Sequence, residues 1–110
     1  MAQSYKLLGR SKPAAATPTT LYTSPALTQS LLVTLIACNV NAQQDDSCDV
    51  WIVPSGGAAA DDNSAIRHLV IDFGDPYMMN APVILEIGDF IVVRSANGNV
   101  TFTASGMLIT

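Results

Sequence analysis

From Thr19 onward the chain never repeats its apolar residues at helical spacing with capping residues at the ends. Short runs rich in Val, Ile, Leu and Thr alternate instead with clusters of Gly, Pro, Asn, Asp and Ser. The runs suit a pleated strand, whose neighbouring side chains point to opposite faces. The clusters supply the backbone conformations that tight turns need. This punctuation predicts strands over residues 20–24, 28–40, 47–55, 64–73, 83–87, 90–95 and 100–110. The expected fold is an all-β, antiparallel β-sandwich, jelly-roll or immunoglobulin-like, of about seven or eight strands.

Finer expectations follow from alternation. In 47–55, Cys48, Val50 and Ile52 share one face, against Asp49, Trp51 and Val53. In 64–73, Ile66, His68, Val70 and Asp72 oppose Arg67, Leu69, Ile71 and Phe73. "ANGN" reads as a hairpin, because Asn97-Gly98 suits a type I′ turn. Gly106 marks a bend or bulge in the last strand. "SGGAAADDN" and "GDPYMMNAP" read as loops.

The longest apolar stretch, "TQSLLVTLIACNVNAQQ", also fits the end of a secretory signal, with small residues before Gln43. Cleavage there would remove about forty residues, where such signals run about 15–30. The run "LLVTLIAC" contains Thr34 and falls far short of the ~20 residues that cross a bilayer. A buried strand ending in "NVNAQQDD" turn chemistry is the better reading, with no membrane partner expected.

Charge is sparse and uneven. Only 13% of the 110 residues are charged, whereas 49% are hydrophobic. So small a domain leaves much surface to solvate, and few charges to do it. Self-association is therefore expected. Lys6, Arg10 and Lys12 give residues 1–44 a charge of +3, since no acid precedes Asp45. Two basic and nine acidic residues give the remainder −7, for a net −4. That balance argues against a nucleic-acid partner. Residues 1–18 read as an extended amino-terminal arm and residues 19–110 as the sandwich domain, because "PAAATPTT" has neither helical nor strand period. The basic arm is either a solvated tail or a strap for an acidic surface. Tyr5, Leu7, Leu8 and Arg10 on the arm, with Tyr77, Met78 and Met79 on the Met-rich loop, are the expected interface residues.

No catalytic set emerges. "DFG" at 72–74 reads as a strand end entering a turn. Asp61, Asp62, Asp72, Asp75 and Asp89 lack calcium-loop spacing and suit turn capping. His68 has no nucleophile or acid at a recognisable spacing. Cys38 and Cys48 are too few for a disulfide scaffold and have no histidine cluster beside them; buried thiols are expected, with a cross-strand bond left open. Trp51 suits a core, an interface or a sugar-stacking platform. No enzyme activity, cofactor or metal is expected.

The opening "MAQSYKLLGRSKPAAATPTTLYTSP" resembles the start of small virion structural proteins of tailed bacteriophages, notably those infecting cyanobacteria. Ser4-Tyr5-Lys6, Leu8-Gly9, Leu21-Tyr22-Thr23, Pro25 and Thr28-Gln29 carry the likeness, joined by "LIACN", "WIVPSGGA", "LEIGDFIVV" and the final "GMLIT". "FGDPYMMNAPV" departs from the plainer polar loop of the family. The resemblance implies a non-enzymatic virion component. The expected function is a capsid decoration or cement protein that bridges coat subunits. The alternatives are a tail, baseplate or fibre component and a carbohydrate-binding module. The expected partners are copies of itself, as a trimer by the symmetry this resemblance implies, and the major capsid protein or tail proteins.

Overall fold

The structure is a computed structural model that describes residues 3–80 and 82–109, with side chains from Lys6 onward. Among the described residues the chain forms nine strands: β1 (Gln3–Ser11), β2 (Thr19–Thr23), β3 (Gln29–Asn39), β4 (Asp46–Val53), β5 (Ser64–Ile71), β6 (Pro76–Met79), β7 (Val83–Leu85), β8 (Phe90–Ser95) and β9 (Val100–Ile109). One sheet runs β1-β9-β3-β6, with β7 also on β3; the other runs β2-β8-β4-β5. Every pairing is antiparallel. β6 and β7 lie end to end along β3, Met79 opposite Leu35 and Val83 opposite Leu32, and together replace one long strand. Two four-stranded layers result, and the chain crosses between them at most turns. That strand order is a jelly roll, which decides between the two sandwich types expected.

The core lies between the layers. Phe102, Leu32, Leu35, Leu85, Ile91 and Val93 are fully buried there. Alternation explains much of this. Cys48, Val50 and Ile52 of β4 all face the core cluster, as expected. Several strand pairs carry bulges, and in β3 and β5 the bulge changes which side chains face inward. Leu32 and Leu35 are three residues apart, yet both point inward, because the β3–β9 register shifts between Leu32 and Thr34. The extra residue restores the phase. The bend expected at Gly106 is thus on its partner strand. Gly106 sits across from the bulge, where a Cβ would collide with the Leu31 carbonyl oxygen.

β5 behaves in the same way, and here the expected faces are wrong. Ile66 and Leu69 both pack on the core, and His68 is exposed beside them. The register jumps between Cys48 and Val50, and His68 takes the left-handed φ of 56°. The inserted residue lets side chains three apart share one face.

Residues 3–11 are extended, as expected, but as a strand paired with β9 rather than as a free arm. The linker is pinned as well. Ala16 donates its N–H to the Ser95 carbonyl at 2.8 Å, and Pro13 is buried. The first strand therefore belongs to the sandwich, across the expected boundary at residue 18. The Asn97-Gly98 turn is not a hairpin. It joins β8 and β9, which lie in different sheets. Only Gly98 has positive φ, whereas a type I′ turn needs it at both central residues. The Gly88-Asp89 turn likewise crosses from β7 to β8 between sheets. Part of the expected Met-rich loop is β6.

Candidate functional site

The polar side chains inside the sandwich are committed to holding the backbone. Asp46 is buried, and its carboxylate accepts the N–H groups of Ser47, Asn97 and Asn99 at 2.7, 3.0 and 3.0 Å. This closes the β8–β9 turn, and a carboxylate suits it because it is acceptor-only. Asp49 accepts the His68 N–H at 2.8 Å and an Arg94 N–H at 3.2 Å. It therefore fixes the β5 bulge and neutralises its cross-strand neighbour Arg94. The Asn39 amide donates to the carbonyls of Gln44 and Ile71, tying the end of β3 to the opposite sheet. Asp89 caps the N–H groups of Ser55 and Glu86 at 3.0 and 2.9 Å. Asp61 pairs with Arg67 at the surface. Among the described residues no three His, Cys, Asp or Glu side chains converge in a way that could hold a metal ion.

Both cysteines are free thiols. Cys48 is fully buried, and desolvation, with the nearby Asp49 and Asp46 charges, pushes its thiol up to about 12. A thiol so far from ionisation is a poor nucleophile. Trp51 is half-buried, beside its cross-strand neighbour Val92.

What remains is surface. On the outer face of the first sheet, register places Met107 of β9, Leu31 of β3 and Ile84 of β7 in one row. Ile36 and Met78 form a second pair on the same face. Ile84 is 64% exposed and Met78 54% exposed. Leu7, at the β1 end of this face, is 46% exposed. Scattered apolar residues are ordinary on a protein surface; here they share one face of one sheet.

A second feature lies where β5 and β6 meet at the open side of the sandwich. A groove of about 170 Å³ is lined by Val70, Asp72, Asp75 and Tyr77, among others. Ligand pockets run to roughly 300–1,000 Å³, so this groove is smaller than an ordinary small-molecule site.

The seven expected interface residues fall on two opposite edges. Leu7 and Arg10 are exposed on β1, and Leu8 is half-buried against the core. The backbone of Tyr5 lies in β1, and its side chain is outside the described residues. Tyr77 and Met78 are exposed on β6, and Met79 packs on the core. The fold does not bring the two groups together, because β9 and β3 separate them. Ile84 and Met107 were not expected to contribute; only the register of β7 and β9 on β3 puts them in the band.

No family model and no curated protein matches this chain. A chain in the structure of infectious bursal disease virus, Gx strain, is similar in fold, with a TM-score of 0.51 and 10% sequence identity. The match covers 97% of this chain and 31% of that one, so the present chain spans about a third of its neighbour's length.

Proposed function

We propose that this protein is a non-enzymatic structural component of a virion, of the tailed-bacteriophage kind that its sequence resembles, and that it decorates or cements the capsid. The apolar band across the outer face of the first sheet carries this reading: Met107, Leu31, Ile84, Ile36 and Met78 offer a contact surface on a rigid two-layer frame. The fold shared with a chain of a virus structure supports it. So does the employment of the buried carboxylates in holding backbone rather than in chemistry. The band covers apolar surface of the coat subunits. Burial of each side chain removes roughly 25 cal/mol per Å² from the cost of exposure, and many copies sum modest contacts into a reinforced shell.

Cryo-electron microscopy of intact particles, with the copy number read by quantitative mass spectrometry, tests the proposal. Hundreds of copies on the head are expected. A few to dozens on the tail would move the role to the tail, and absence from the particle would overturn it. Ile84→Lys and Met78→Lys should lower particle occupancy without changing the melting curve.

A further inference from the structure

We infer that copies of this chain join head to tail, the basic edge of β1 in one copy adding antiparallel to the acidic edge of β6 in the next. This goes beyond a role in the virion, because it concerns the isolated chain and uses the two edges of the first sheet rather than its outer face.

The first sheet has two free edges. Among the described residues β1 pairs with β9 alone, and β6 with β3 alone. An unpaired strand edge is a template for another strand, and proteins restrain it with charge. Here the charges are opposite on the two edges. The chain has five basic residues. Arg67 and Arg94 each pair with an aspartate of their own chain. Lys6, Arg10 and Lys12 are exposed, and among the described residues none has a carboxylate within 4.0 Å. At the opposite edge Asp72 and Asp75 are exposed and have no ion pair among the described residues. Like edges would repel, which leaves the unlike pairing as the selected one.

Register then aligns the charges. Arg10 lies opposite Thr103, Thr103 opposite Ile36, and Ile36 opposite Met78. Ser11 follows the same path through Phe102 and Ala37 to Tyr77. Lys12 is the next residue, just past the end of β1, on the side where Pro76 and Asp75 open β6. A copy set beside β6 without sliding along the strands therefore brings Lys12 toward Asp75, with Arg10 beside Met78 and Asp72 in the turn that precedes β6. The direction also agrees. Each of the three pairings between β1 and β6 reverses the strand, so a neighbour displaced sideways offers β1 antiparallel to β6. Leu7, Tyr77 and Met78 line the same edges as apolar cover. Pro76 has no N–H to donate, and alternate residues of β6 already bond to β3, so on β6 the backbone of Met78 faces the free edge.

The two edges are three strand spacings apart, roughly 14 Å. Two copies cannot satisfy both edges of each, so the contact propagates to a ring of three or more, or to an open row.

Sedimentation of the purified full chain, without particles, tests this. Wild type at low salt should form species larger than a dimer, and about 0.5 M salt should weaken them by screening the charges. Arg10→Glu with Lys12→Glu, or Asp72→Lys with Asp75→Lys, should each weaken association about tenfold or more. An equimolar mixture of the two variants should assemble, because each supplies the edge that the other lacks. Melting curves identify any variant that fails to fold, and Asp72→Asn with Asp75→Asn then replaces the lysine pair. Reversal variants that assemble as wild type does, a wild type that stops at dimers, or a monomer at low salt would overturn the inference. Any of these outcomes leaves the role in the virion to be judged by particle occupancy.

Discussion

Replacing Asp46 with alanine should destabilise the fold by about 3 kcal/mol. Asp46 is 3% exposed, and its carboxylate accepts three backbone N–H groups, from Ser47, Asn97 and Asn99. A hydrogen bond to a charged acceptor contributes about 1.5–3 kcal/mol. Asn97 is exposed, so water replaces that partner. Ser47 and Asn99 are half-buried, and two bonds at the lower end of the range give the figure. The lower end is apt because the substitution also removes the desolvation cost of a buried charge. In a domain of this size the midpoint should fall by roughly 12–24 °C, at about 4–8 °C per kcal/mol. Asparagine at the same site keeps one acceptor oxygen and sets an amide against the remaining donor, so it should be intermediate. Urea unfolding followed by Trp51 fluorescence, with stability taken from the midpoint at constant slope, measures both. A loss below about 1 kcal/mol for alanine would show that the β8–β9 turn does not depend on this carboxylate, and equal losses for both would refute the idea that one acceptor oxygen holds part of it.

Two other perturbations test the packing. Gly106→Ala should cost about 1–3 kcal/mol, because its methyl would meet the Leu31 carbonyl where β3 bulges; an unchanged urea midpoint would mean that the strands are further apart there. The Cys48 thiol, pushed up to about 12 by burial and by its acidic neighbours, is held protonated in the fold. An unfolded chain ionises it from the ordinary value of 9.0 upward, so this contribution is complete below that pH and is lost as pH rises toward about 12. Cys48→Ala should flatten the alkaline fall in the urea midpoint; an identical fall in both proteins would refute it. At pH near 8 a thiol reagent should modify half-buried Cys38 well before Cys48, as peptide mapping would show.

Alternation and turn chemistry made most strands legible, because a side-chain period of two is a local property. The core face of β4 could be read from Cys48, Val50 and Ile52, but not that Val53, opposite them by alternation, is fully buried too. β1 and β6 could not. β1 is separated from the other strands by an Ala/Thr/Pro segment with no period, and its partner β9 lies at the far end of the chain. β6 is four residues opened by a proline, too short to show alternation. The contact residues were half legible for the same reason. Tyr77 and Met78 stand out by composition, whereas Ile84 and Met107 join the surface only through register.

Local sequence thus determined that this chain forms strands, where most of them turn, and which side chains seek the core. It could not determine which strands become neighbours. Asn97-Gly98 looks like a hairpin in sequence, and becomes a crossover because Asp46 holds the Asn97 and Asn99 N–H groups while β8 and β9 pair into separate layers. Leu32 with Leu35, and Ile66 with Leu69, break alternation on paper and satisfy it in space, because a bulge can be placed only against a partner strand. The opposed charges of Lys12 and Asp75 are 63 residues apart in the chain. That they come to the same end of opposite edges of one sheet follows from three successive registers, and registers are set by the packing of two layers on a common core.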